Sequence, residues 1–406
     1  LTESERLLLP TYANAMTELG VGKKDYLATQ NWQSAVCGAI NGFTSVRSAL
    51  QDTQQASAYF ILSSKGLHRN YEAMTELMLQ TLQKVHFDEL PRIRELIAQG
   101  RARSEMAIPG SGHNFAMTAA SSGVSALGAY THAISGLQAI QSLKAMDEKL
   151  DDTVALQDFA TQLASLHQKI LAMPTQMLLV SDDNTLTDFR QTLMRLNTPA
   201  TGAAVNTFSL PAVNHRVQQF WQCNVQVHYC SKAYATVGGG HPDSPALTVL
   251  GGFLRNGYLH RAIREQGGAY GGGASQDNNT GAFRFYSYRD PRFGETLQDF
   301  DQSVQWLLNT RHEWQPVEEA ILGVVSALDK PSSPAGEAKA TFHNNLHGRT
   351  AEQRRAFRNA VLQVKQEDLQ RVARTYLTAD NASTAVIGPA TVIETARQQK
   401  LDVVIL

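Results

Sequence analysis

The sequence predicts an α+β protein built as two similar units, each a largely antiparallel or mixed sheet with helices packed on one face. Three observations carry this. Stretches with helical periodicity and stretches with strict alternation both occur. The order helix, two strands, helix, helix, further helices, helix, strand is met twice. HRNYEAMTELM near residue 68 corresponds to RFGETLQDFDQSV near residue 292, 224 residues later, as in a duplicated unit. The 406 residues are 43% hydrophobic and only 18% charged, which excludes disorder and leaves enough apolar surface for more than one core.

In the first unit, residues 5–19 read as a helix stopped by Gly20 and Gly22. Strand-like runs follow at 36–44 and 57–64. Helix 69–86 places Met74, Leu77, Met78, Thr81, Leu82 and Val85 on one face. Helix 89–105 carries Pro91 in its first turn, where a missing N–H is harmless. Small-residue helices fill 113–145, a helix covers 153–171, and MLLVS at 177–181 reads as a strand. Residues 196–214, free of charge and rich in Thr, Ala, Asn and Pro, read as a linker between domains 1–195 and 215–406.

The second unit opens with a strand at 225–236. A helix capped by Ser244-Pro245 and a short helix at 258–265 come next. AYGGGA and the alternating AFRFYSYR (282–289) read as strands. Helices at 293–308, 316–328, 335–347, 351–361 and 366–377 lead to a closing strand at 383–388. The second unit has a strand before its first helix and the first unit does not, so the counterpart strand is expected upstream of Leu1.

A net charge of −1 gives no basic surface for nucleic acid or anionic lipid. Residues 107–143 contain no charged side chain, but their Ser, Thr, Gly, Gln and His content points to closely packed helices rather than a membrane span. Three cysteines make no disulfide framework and fit a reducing compartment. If CNVQVHYC is a strand, its odd spacing sends Cys223 and Cys230 to opposite faces.

Twelve histidines invite a metal search, which yields no complete ligand set. HFDEL (86–90) is one residue short of the zinc motif HxxEH, because position 90 is Leu. HNNLH (343–347) has two histidines one helical turn apart but no carboxylate between them, and reads as a solvated helix face. His312-Glu313 has no second histidine four residues on. GVSALG is not GxSxG, and neither GSGHNF nor GGAYGGGA has the spacing of a phosphate loop.

What remains is the glycine-dense stretch 258–291. Consecutive glycines mean sharp turns or room for another chain beside the backbone, and an exposed strand edge can accept a peptide as an extra strand. Arg264 and Tyr270 flank the glycine pair and suit a peptide carbonyl or carboxylate. On the residues alone, Arg264 could equally pair with a local carboxylate and Tyr270 pack in the core.

LRNGYLHRAIREQGGAYGGGA followed by FRFYSYRDP strongly resembles the C-terminal half of the pitrilysin/insulinase metallopeptidases, presequence-protease subgroup. LLLPTYANAMTELG, DKPSSPAGEA and VLQVKQEDLQRVARTYL extend the likeness over nearly the whole chain. The resemblance implies the LuxS/metallohydrolase-like peptidase fold, with this chain as a non-catalytic third domain and a substrate-contacting fourth domain. It implies a zinc endopeptidase whose halves close around a chamber and degrade short unstructured peptides. Zinc would be held by the N-terminal half of the same polypeptide, with no metal in this chain, no nucleic acid and no membrane partner. Tyr270 would donate a hydrogen bond to the oxygen that gains charge as the peptide carbonyl is attacked, and Arg264 would anchor the peptide. Gly267, Gly268, Ala269 and Gly271 would contact substrate. The location implied is cytoplasmic or an organelle matrix. Positions 35–44 match the family's glycine pattern only loosely. The alternative is a structural or peptide-binding relative of the same fold that cleaves nothing.

Overall fold

The computed structural model describes residues 1–196 and 208–406. Most of the expected linker therefore lies outside the described residues; residues 208–214 run without helix or strand.

The chain opens with α1 (Glu3–Glu18), closed at its start by a capping box between Thr2 and Glu5. α2 (Tyr26–Val36) follows, then the antiparallel pair β1 (Ala39–Ser48) and β2 (Ala56–Lys65). Gly42 of β1 lies so close to α1 that a Cβ there would stand 2.6 Å from the Ala13 carbonyl oxygen, so glycine sets the helix-to-strand spacing. α3 (Tyr71–Lys84), α4 (Leu90–Ser121), α5 (Ala126–Ser135), α6 (Leu137–Lys149), α7 (Thr153–Leu171) and α8 (Asp183–Leu196) complete this part. Its core gathers Leu9, Tyr12, Met16, Ile93, Leu96, Phe159, Leu163 and Leu166, with the Tyr12 hydroxyl bonded to His167 Nδ1 at 2.8 Å.

The second part holds a six-stranded mixed sheet in the order β5-β6-β4-β7-β3-β8. Its elements are β3 (Gln218–Gln222), β4 (Tyr229–Ala235), α9 (Ser244–Leu254), a π-helix over Arg255–Gln266, β5 (Gly271–Asp277), β6 (Ala282–Tyr288), α10 (Gly294–Asn309), α11 (Trp314–Leu328), α12 (Pro334–Leu346), α13 (Ala351–Leu362), α14 (Gln366–Tyr376), β7 (Ala382–Gly388), α15 (Ile393–Gln398) and β8 (Asp402–Ile405). β3 lies between β7 and β8 and runs parallel to both; the other pairings are antiparallel.

Several local expectations are corrected. MLLVS at 177–181 is not a strand. Its counterpart, β7, lies between β3 and β4, and described residues 1–196 supply no equivalents of those strands, so 177–181 has nothing to pair with. The helix expected to end at 105 runs on to Ser121, bent at Ser111 just past Pro109. Beside the bend, the Pro109 carbonyl accepts from the Tyr229 hydroxyl at 2.8 Å and from Arg289 Nε at 3.4 Å. Helices α2 and α15 and strands β3 and β8 had no expected counterpart.

Helices of the second part cover one face of the six-stranded sheet, as expected, and helices of the first part cover the other. On one face Phe220, Cys230, Tyr234, Phe283, Phe285 and Val386 meet α9, the π-helix, α10, α11, α13 and α14. On the other, Trp221, Tyr229, Ala233, Ala385 and Ile387 meet Ile108, Ala116, Ala119 and Ala120 of α4 and Leu137 and Ile140 of α6. The small residues of α4 let it lie flat on the sheet: a Cβ on Gly112 would sit 2.6 Å from the Tyr229 ring. This explains why every residue of β7 is buried. Cys223 and Cys230 are free and buried, one in each of these two cores.

HNNLH does not form a solvated face either. His347 is buried, with Nε2 bonded to Ser45 Oγ at 2.9 Å and Nδ1 to Ser57 Oγ at 2.7 Å. His343 stacks on Phe43. The end of α12 is thereby docked on the β1/β2 hairpin. Among the described residues no helix is long and apolar enough to cross a membrane.

Candidate functional site

The glycine-dense segment lies at the β5 edge of the large sheet, since β5 pairs only with β6. Gly271 carries open space where a Cβ would be, and Gly268 adopts φ +78°, which places the turn from the π-helix into β5 in the left-handed region. Tyr270 enters the strand by donating its N–H to the Tyr288 carbonyl at 3.0 Å, and its ring meets Tyr288 edge-on at 5.5 Å.

Residues of α4, the π-helix and the β5/β6 hairpin line an open cavity of about 440 Å³ at this edge. Gly110 and His113 come from α4, on either side of its bend at Ser111. Arg255, Asn256, His260 and Arg264 come from the π-helix. Tyr270, Gly271, Gly272, Tyr286 and Tyr288 come from β5, β6 and the turn before β5. Arg264 and Tyr270 are thus brought together. Neither local alternative holds: Tyr270 is 68% exposed rather than packed, and among the described residues Arg264 has no carboxylate partner. No acidic side chain lines the cavity.

Of the four residues expected to contact substrate, only Gly271 reaches the lining. Gly267 is buried with the Arg292 guanidinium in the space a Cβ would need, and Ala269 is buried in the core. Gly268 supplies the positive φ. These three shape the turn rather than the cavity wall. Arg292 holds that turn, donating to the Ala262 carbonyl at 3.4 Å and pairing with Asp299 at 2.9 Å.

Sequence reasoning missed His113, Arg255, His260, Tyr286 and Tyr288. The alternation of FRFYSYR was the available signal for the two tyrosines: Phe283 and Phe285 face the core, so Tyr286 and Tyr288 alternate out of it toward α4. His113 sits between them and the bend, 4.7 Å edge-on to Tyr288; burial pushes its pKa down, and its Nδ1 has no hydrogen-bond partner.

The metal centre that the resemblance implies belongs to the N-terminal half and not to this chain. Among the described residues no group of three or more His, Cys, Asp or Glu side chains is placed to hold an ion. In HNNLH both ring nitrogens of His347 are taken by serine hydroxyls. His86 turns its Nδ1 to Asp88 at 2.6 Å, with no second histidine beside it.

Known proteins share this α+β architecture of a mixed sheet with helical layers. Residues 1–146 match the family described as "Peptidase M16C associated", and residues 218–388 match the "PreP C-terminal domain". The mitochondrial presequence protease of Yarrowia lipolytica is 28% identical over 388 residues, covering 94% of this chain and 38% of that protein. That of Kluyveromyces lactis is 28% identical over 396 residues, covering 94% and 39%. A solved structure described as a peptidase M16 inactive domain, from Pseudomonas fluorescens, shares the fold with a TM-score of 0.60 at 15% identity, covering 93% of this chain and 87% of that one. The chain belongs to the M16 peptidase family and corresponds to the C-terminal half of its presequence-protease subgroup. It spans about two-fifths of the length of the curated relatives it matches.

Proposed function

We propose that this chain is the substrate-contacting half of a zinc-dependent endopeptidase that degrades short unstructured peptides inside a closed chamber. Zinc is held by the N-terminal half of the same polypeptide, and the enzyme works in the cytoplasm or an organelle matrix. The division is a third domain over 1–195, a linker over 196–214 and a fourth domain over 215–406. The observation that carries this reading is the shared cavity of Arg264 and Tyr270: two donors from different elements, both reaching open space beside an unpaired strand edge. Tyr270 donates a hydrogen bond from its hydroxyl to the peptide carbonyl oxygen as that oxygen gains charge, and Arg264 holds a neighbouring backbone carbonyl.

The test is steady-state kinetics on a fluorogenic peptide with the intact polypeptide. Tyr270→Phe removes one donor and lowers kcat by about 10²–10³ while KM changes little. Arg264→Ala raises KM as well, because the anchor acts in both ground and transition states. Near wild-type turnover by a folded Tyr270→Phe enzyme refutes the role of Tyr270.

A further inference from the structure

The helix that carries Arg264 is wound unusually. Over Arg255–Gln266 the backbone forms a π-helix of 12 residues, where single-turn insertions are the usual form. Its i→i+5 bonding gives a little over four residues per turn. Arg255, His260 and Arg264 are separated by steps of five and four, so all three fall on one face, and all three line the cavity. In an α-helix of about 3.6 residues per turn, Arg255 and Arg264 would stand two and a half turns apart, on opposite sides. The wide winding therefore places on one face two arginines that ordinary winding would set on opposite sides.

Nothing in the cavity neutralises them. Its lining has no carboxylate, and among the described residues the Arg264 side chain has no carboxylate partner. The only side-chain bond of Arg255 is from Nε to the neutral Asn256 Oδ1 at 3.1 Å. Glu265, next to Arg264 in sequence, is turned to His260 Nδ1 at 3.2 Å. Two arginines lining one cavity with no carboxylate in its wall favour an anion there, and a planar carboxylate matches the guanidinium fork. The phenol edges of Tyr286 and Tyr288 make the opposite wall.

We propose that Arg255 and Arg264 form a carboxylate-recognition subsite, which selects peptides presenting a carboxylate beside the segment held by Tyr270. The carboxylate is either an acidic side chain or the free C-terminus. The proposal rests on the peptide-binding reading above and adds a chemical preference to it.

The test measures binding to this 406-residue chain, so it does not depend on turnover. Three fluorescein-labelled octapeptides of otherwise identical sequence are compared by anisotropy: one amidated with Gln at the central position, one amidated with Glu there, and one with Gln and a free C-terminus. At least one carboxylate peptide is expected to bind about tenfold tighter than the peptide without carboxylates, and which one identifies the source. In Arg255→Gln that ratio collapses to within about twofold. Arg255→Lys, which keeps the charge and the packing stem but not the fork, retains part of it. Equal binding of all three peptides, no binding of any, or an Arg255→Gln variant that keeps the full ratio overturns the proposal. A peptidase role refuted by the Tyr270→Phe kinetics would leave the carboxylate preference standing, and the reverse holds too.

Discussion

Replacing Gly112 with alanine tests the contact that joins the first part of the chain to the large sheet. The new Cβ would lie 2.6 Å from Tyr229 Cδ2 and Cγ and 2.7 Å from Cδ1, about 1 Å inside ordinary contact. Tyr229 cannot swing away: it is 1% exposed, and its hydroxyl is tied to the Pro109 carbonyl. The strain of such overpacking is about 1–3 kcal/mol. Gly→Ala in a helix returns up to about 1 kcal/mol through backbone entropy. If α4 backs off, the Tyr229 bond is lost at a further cost of about 0.5–1.5 kcal/mol. The net expectation is a loss of about 1–2 kcal/mol, read as a lower urea midpoint with an unchanged slope. Tyr229→Leu removes both the ring and the bond, so in that background Gly112→Ala should be neutral or stabilising, giving a coupling above about 1 kcal/mol. A Gly112→Ala variant as stable as the wild type would show that α4 does not press on β4 as described.

Two further outcomes follow from the histidines. Burial, then Arg47, Arg349 and His343, push the His347 pKa down to about 4. In the unfolded chain it titrates near ~6.5, so its contribution is complete above that pH and is lost as pH falls toward 4, on the order of 2–3 kcal/mol. Urea midpoints between pH 7 and pH 4.5 should fall less steeply for His347→Gln than for the wild type; identical slopes would exclude His347 as a source, although buried His132, also near 4, keeps part of the dependence. Metal analysis of the purified chain should find less than stoichiometric zinc, and EDTA should leave its melting temperature unchanged; one tightly held zinc per chain would contradict the ligand geometry.

The site was partly legible because its chemistry is local. Glycine density and two polar side chains six residues apart mark 264–270 without any knowledge of the rest. The partners were not legible, for physical reasons. His113 reaches the cavity only because α4 continues through Pro109 and Gly110, and the bend is held by bonds to the Pro109 carbonyl from Tyr229 and Arg289, far away in sequence. The placement of Arg255 and Arg264 on one face depends on π winding, which a period of 3.6 assumed in advance hides. QQFWQ and DVVI are short, and they become strands by lying along β7 and β3 rather than by their own propensity. MLLVS shows the reverse: a run with strand character and no neighbour stays irregular.

The two parts of the chain are interlocked, and this predicts how they unfold. The sheet face under α4 buries Trp221, Tyr229 and Ile387 against Ile108, Leu137 and Ile140. At roughly 1.5–3 kcal/mol for each large aliphatic side chain, the contact contributes on the order of 10 kcal/mol, comparable to the whole net stability of a typical domain. A second dock, where α12 meets the β1/β2 hairpin through His347 and the bond from Arg47 to Asn344, ties the opposite way. Neither part should therefore persist once the other melts. Far-ultraviolet circular dichroism and tryptophan fluorescence should report one coincident transition for the intact chain. Residues 208–406 expressed alone should expose the Trp221–Ile387 face and bind the dye ANS, or aggregate. If that piece is instead a stable monomer without dye binding, or the intact chain melts in two separate steps, α4 is an accessory layer on a sheet that is stable without it.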